Sequence, residues 1–98
     1  MWVEADQTVS LFAQSNMIWY VYMLRCADGT LYSGITTDLK RRLDEHNFDN
    51  KKGAKYTRMR RPVELVYKIR CKNQSKAASA EANLKKLTRV KKEALLDS

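Results

Sequence analysis

The sequence predicts an α+β domain: a three-stranded antiparallel β-sheet flanked by helices, in the order ββαβαα. Three observations lead there. Two aromatic and β-branched runs, WYVYMLRC (19–26) and TLYSGIT (30–36), flank the segment Ala27-Asp28-Gly29, and a third, VELVYKIRC (63–71), follows a long basic loop; such runs around a Gly turn read as strands and a hairpin. The stretches DLKRRLDEHN (38–47) and SKAASAEANLKKL (75–87) carry leucines at helical spacing instead. Finally, 98 residues make one small domain, because a chain this short buries only about two-thirds of the surface it exposes when unfolded. No second catalytic domain is expected within it.

Each element has a local cause. Residues 1–16 show neither alternation nor an apolar stripe and are expected to form a flexible N-terminal extension ahead of a domain spanning 17–96. In the hairpin, a three-residue loop with Gly29 in the left-handed region would set Tyr32 across from Leu24 and Gly34 across from Tyr22. A two-residue Asp28-Gly29 turn would send Tyr22 and Tyr32 to opposite faces; the three-residue form is favoured. Asp38 is a good N-cap for a helix carrying Leu39 and Leu43, which should fray near Asn47. Residues 48–62 have no period and are expected to be a long functional loop. After the third strand, Ser75 opens an Ala-rich helix, and Thr88 caps a last short one through Val90, Ala94 and Leu95.

Composition narrows the partners. Nineteen Lys and Arg against eleven Asp and Glu leave a net charge of +8. The first 24 residues carry only the acids Glu4 and Asp6, so the positive field belongs to the remainder. That field attracts polyanions such as nucleic acid, although a solubilising surface would look the same. The apolar run Met17 to Leu24 is far shorter than the roughly 20 residues a membrane helix needs, and residues 1–16 lack the basic start of a secretory signal. No membrane partner and a cytoplasmic location are expected. Cys26, Cys71 and one histidine cannot complete a structural zinc site; both cysteines read as buried small hydrophobes.

Some polar residues face the wrong way for a solvated surface. On a wheel of about 100° per residue, Arg42 and His46 fall on the Leu39 and Leu43 face, while Lys40, Arg41, Asp44 and Glu45 fall opposite. Buried there, Arg42 and His46 each need a partner. Glu81 likewise lies against the stripe of Ala77, Leu84 and Thr88, where it pairs with Arg42 or Lys85 or holds a cation. Tyr22, Tyr32 and the bare Gly34 make either plain core or a floor that a phosphate can approach.

Taken in order, WYVYML (19–24), LYSGIT (31–36), RRLDEH (41–46), GAKYT (53–57), RRPVELVY (60–67) and a Glu on a late helix resemble the GIY-YIG nuclease superfamily, and within it the small single-domain YhbQ-like branch, over about residues 17–96. The resemblance implies a GIY-YIG endonuclease-like fold. By position it implies Tyr22, Tyr32 and Gly34 as motif residues, Arg42 as the catalytic arginine, His46 as a catalytic histidine and Glu81 as the metal-binding glutamate. Tyr20 replaces the glycine that names the first motif, and Ile35 stands where some relatives carry a lysine. The first change narrows the groove; the second removes a cation that helps deprotonate a tyrosine.

The expectation is therefore a metal-dependent endonuclease that hydrolyses phosphodiester bonds of DNA, selective for structure or for single strands. One Mg²⁺ or Mn²⁺ would sit on Glu81, and Arg42 would stabilise transition-state charge. Either tyrosine could take the proton of the attacking water, with Tyr22 favoured as base and Tyr32 as phosphate ligand. Lys51, Lys52, Lys55, Arg58, Arg60 and Arg61, interleaved with Tyr56, suit a nucleic-acid backbone and a stacked base. Nothing else in the chain reads sequence, so a protein partner could supply specificity. The alternatives are a non-catalytic nucleic-acid-binding module with the same fold, and a protein that recruits a partner through its last helices.

Overall fold

The computed structural model describes residues 17–97; the expected extension over 1–16 lies outside the described residues. Strands β1 (Trp19–Arg25), β2 (Leu31–Thr36) and β3 (Glu64–Cys71) form one antiparallel sheet in the order β2-β1-β3. Helix α1 (Leu39–Phe48) follows β2, a single turn α2 (Lys55–Arg58) interrupts the connection to β3, and α3 (Gln74–Lys85) and α4 (Arg89–Leu96) close the described chain. The main elements follow the predicted ββαβαα order. The loop expected to be irregular contains α2, which the mixed composition of residues 48–62 hides.

β1 occupies the centre, with a neighbour on each edge and a core on each face. Tyr22 and Leu24 pack with Cys26, Val63, Leu39 and Leu43 on the α1 side, while Val21 and Met23 pack with Leu84, Ala80 and Leu87 on the α3 side. Hence Val21, Tyr22, Met23 and Leu24 are all buried, and the strand reads as a continuous apolar run. Among the described residues no helix is long and apolar enough to cross a membrane.

The turn takes the three-residue form. Gly29 adopts φ +86°, Cys26 N–H donates to Thr30 O at 2.8 Å and Gly29 N–H to Cys26 O at 2.9 Å. The register that follows sets Leu24 opposite Tyr32 and Tyr22 opposite Gly34. The caps are equally local: Asp38 accepts from Arg41 N–H at 3.0 Å and Thr88 from Lys91 N–H at 3.2 Å. On α3 the cap is Asn73, accepting from Lys76 N–H at 2.9 Å, so that helix starts one residue before the predicted Ser75. Both cysteines are free thiols; Cys26 is buried as expected, but Cys71, at the end of the edge strand β3, is only half-buried.

Candidate active site

The site begins with the pleat. Tyr22 and Gly34 are directly opposed on adjacent strands, and a Cβ on Gly34 would overlap the Tyr22 phenol, coming within 2.6 Å of Cζ. A glycine there lets the ring lie across β2 instead of standing off the sheet. From the other side, α1 lowers His46 onto the ring: Nε2 lies 2.8 Å from the Tyr22 hydroxyl, and Nδ1 lies 2.9 Å from Oγ1 of Thr57 on α2. Thr57 in turn donates to Ala54 O at 2.9 Å. Tyr22 is 2% exposed, and His46 and Thr57 not at all.

Aromatic contacts extend this group outward. Tyr32 meets His46 edge-on with ring centroids 5.3 Å apart, Tyr56 stacks on Tyr32 at 5.7 Å, and the Arg60 guanidinium lies 3.8 Å from the Tyr56 ring centre. The Tyr56 ring is thus shared between two neighbours, with which a nucleobase would compete. The Tyr32 hydroxyl makes no hydrogen bond to the described residues.

Arg42 and His46 share the inward side of α1, as the wheel requires, but they are treated differently. His46 is sealed, whereas the Arg42 side chain is 24% exposed and tethered through Nη1 to Glu45 Oε1 at 2.9 Å and Lys52 O at 2.7 Å. Its Nε and Nη2 are not used in those bonds. Glu45, placed by the wheel among the solvent-facing charges, is drawn in by this pair. On α3, across the sheet, Glu81 is 22% exposed and its Oε2 lies 3.6 Å from the exposed Lys85 ammonium. Of the two pairings open in the sequence, the structure has the one with Lys85.

The electrostatics follow from this packing. Burial pushes the Tyr22 phenol up to about 12; hydrogen bonding and charge from Arg42 oppose that, while Tyr32 and Glu81 add to it. The Glu81 carboxylate therefore acts on the same phenol as Arg42 despite lying on another helix. Burial likewise lowers His46 to about 4, helped by the charges of Arg42 and Arg61 and opposed by Glu45. At neutral pH the site rests as neutral phenol and neutral imidazole beside a guanidinium.

The basic loop divides in two. Arg61 donates to His46 O at 2.6 Å, Asn50 Oδ1 at 2.8 Å and Asp49 O at 3.0 Å, closing the C-terminal end of α1. Arg58 donates to Asn50 O at 2.6 Å, and Arg60 reaches Asp28 Oδ2 at 3.0 Å and Tyr56 O at 3.0 Å. Lys51, Lys52 and Lys55 are exposed, and their side chains make no hydrogen bond or ion pair with the described residues. Thr57 and Asn47 escaped the sequence reading. Asn47 exchanges two hydrogen bonds with the Val63 backbone, at 2.9 and 2.8 Å, pinning the start of β3 to α1. The only advance signal for Thr57 was its place in GAKYT.

A divalent cation fits this donor set in one way. Among the described residues no three His, Cys, Asp or Glu side chains gather at metal-binding range, so an all-protein cage is excluded there. Glu81 offers a hard oxygen whose recorded ion pair is the exposed Lys85, and Mg²⁺ commonly binds through one or two carboxylates while water and substrate phosphate complete its shell.

Comparison with known proteins agrees with the fold and the motif order. A family model described as the GIY-YIG catalytic domain matches residues 18–94. UPF0213 protein DP2720 from Desulfotalea psychrophila is 51% identical over 78 residues, covering 80% of this chain and 70% of that protein. UPF0213 protein NP_0776A from Natronomonas pharaonis is 53% identical, covering 79% and 88%. The solution structure of UPF0213 protein BH0048 from Bacillus halodurans shares 44% identity at a TM-score of 0.53, covering 83% of this chain and 84% of that one. With the motif residues distributed over the same three-stranded sheet and its helices, the chain belongs to the GIY-YIG catalytic domain family, in its UPF0213 branch.

Proposed function

We propose that this protein is a metal-dependent endonuclease acting on DNA, with selectivity for substrate structure or single-strandedness. The observation that carries the reading is the meeting of Tyr22 and His46 at 2.8 Å beside Tyr32, within the electrostatic reach of both Arg42 and Glu81. Tyr22, Tyr32 and His46 come to that spot from β1, β2 and α1, and the reading assigns them, with Arg42 and Glu81, the functions that hydrolysis of a phosphodiester requires: a proton acceptor, a cationic donor set for the phosphate and an anchor for a metal.

A preformed phenolate is an inefficient base here. With the Tyr22 phenol near 12, fewer than about one molecule in 10⁴ carries it at pH 7.5. The hydrogen bond to His46 offers another route. Tyr22 accepts the proton of the attacking water as it passes its own proton to His46 Nε2, so that the phenol relays charge and never rests ionised. The water oxygen bonds to phosphorus, the bond to the leaving oxygen breaks, and that oxygen takes a proton from solvent. Arg42, with Nη1 tethered, keeps Nε and Nη2 for the non-bridging oxygens, where charge develops. The Tyr32 hydroxyl donates to the same phosphate. Glu81 would hold the Mg²⁺ or Mn²⁺ ion, whose chemistry when bound is Lewis-acid neutralisation of phosphate charge. Lys51, Lys52 and Lys55 steer the backbone in.

Nicking of plasmid and cleavage of single-stranded, branched and duplex DNA, with and without Mg²⁺, test the proposal. Cleavage that disappears with EDTA and in both Glu81→Ala and Arg42→Ala, while each variant stays folded, is the expected result. Tight, salt-dependent binding by the wild type with no cleavage under any divalent ion would instead identify a non-catalytic binding module.

A further inference from the structure

His46 has two possible neutral forms, and which of them is present decides whether it can receive a proton from Tyr22. Only the form protonated at Nδ1 leaves a lone pair on Nε2. The opposite form would point an N–H at the Tyr22 oxygen and block the relay. One buried contact selects between them.

That contact is with Thr57. Its hydroxyl has one proton, and that proton is directed to the Ala54 carbonyl, which can only accept. The contact of 2.9 Å between Thr57 Oγ1 and His46 Nδ1 is then satisfied only if the imidazole donates. The Tyr22 side is consistent with this: the phenol is 2% exposed, its hydrogen-bond partner is Nε2 at 2.8 Å, and with the imidazole proton on Nδ1 the phenol donates to the lone pair left on Nε2.

We propose that Thr57 is a positioning residue that fixes His46 as its Nδ1–H tautomer, completing a directed chain from the Tyr22 hydroxyl through Nε2 and Nδ1–H to Thr57 and the Ala54 carbonyl. Thr57 touches neither substrate nor metal; it acts through His46. The chain also explains why a fully buried threonine stands in a one-turn helix, since α2 brings the Thr57 hydroxyl to the His46 ring while that hydroxyl donates to the carbonyl of Ala54, the helix's N-cap. The kinetic consequence rests on the nuclease reading, but the tautomer does not.

His46 is the only histidine of the chain, so one set of imidazole ¹⁵N resonances reports the tautomer without ambiguity. Long-range ¹H–¹⁵N correlation at neutral pH is expected to show Nδ1 protonated in the wild type and in Thr57→Ser, and Nε2 protonated in Thr57→Val, which keeps the shape but loses the acceptor. In cleavage assays Thr57→Val should lose about tenfold or more in kcat with KM little changed, and Thr57→Ser should recover most of it. A wild-type imidazole protonated at Nε2 overturns the proposal before any variant is made. So does a folded Thr57→Val that keeps the wild-type tautomer. If the wild type proves inactive but its tautomer still follows residue 57, the positioning role stands and the nuclease reading falls.

Discussion

The Tyr22 hydroxyl and His46 Nε2 lie 2.8 Å apart although 24 positions separate them in the chain. A strand at the centre of the sheet supplies one and an overlying helix the other. Removing the phenol oxygen separates its structural and chemical consequences. Tyr22→Phe leaves a buried imidazole nitrogen without its donor, at a cost of about 1–3 kcal/mol in stability, and should lower cleavage by about 100-fold or more. Urea unfolding and nicking rates on the same preparation measure the two effects; unchanged cleavage would remove Tyr22 from the chemistry.

Gly34 faces that ring across the ladder, and its role is to be absent. Gly34→Ala brings a Cβ into the Tyr22 phenol, within 2.6 Å of Cζ, so the ring must move or the strands must part. A loss of about 1–3 kcal/mol is expected from such overpacking. In the Tyr22→Phe background part of the clash remains, because Cζ is still there. The double variant should therefore show a smaller added loss without becoming neutral.

Stability should fall on mild acidification, and His46 gives the sign. Burial holds the folded imidazole at about 4, against 6.5 for a free one. Between these values the unfolded chain binds a proton that the folded chain refuses. The stabilisation is complete above pH 6.5 and is lost as pH falls toward 4, amounting to about 3 kcal/mol. Asp28, Asp49 and Glu93 are also held below their ordinary range, but carboxylates contribute at lower pH. Urea midpoints at about pH 7.5 and about pH 5 isolate the histidine, and His46→Gln should flatten the difference.

The basic loop should split by function. Replacing Lys51, Lys52 and Lys55 together with alanine should leave stability nearly unchanged, weaken DNA binding and reduce the salt slope of binding by about 3. Arg61→Ala breaks three hydrogen bonds at the end of α1 and should destabilise by about 1–3 kcal/mol, with a smaller effect on the salt slope. Equal salt slopes in the two proteins would refute the division.

Local rules account for much of this molecule. The Gly29 turn, the Asp38 and Thr88 caps and the strand register depend on neighbours in the chain, and the register alone put Tyr22, Tyr32 and Gly34 on one face. Helical periodicity likewise turned Arg42 and His46 inward, and the ordered motifs pointed to the family. What only the tertiary structure decided concerns partners from distant elements. Thr57 looked like a loop residue until α2 brought it under His46; Glu45 looked solvated until Arg42 drew it in; and the arginines of the loop proved to be tied to carbonyls while the lysines stayed free of such ties. A hydrogen bond of under 3 Å between groups tens of residues apart depends on how helices and sheet pack. Periodicity fixes which way a side chain points, and packing fixes what it meets.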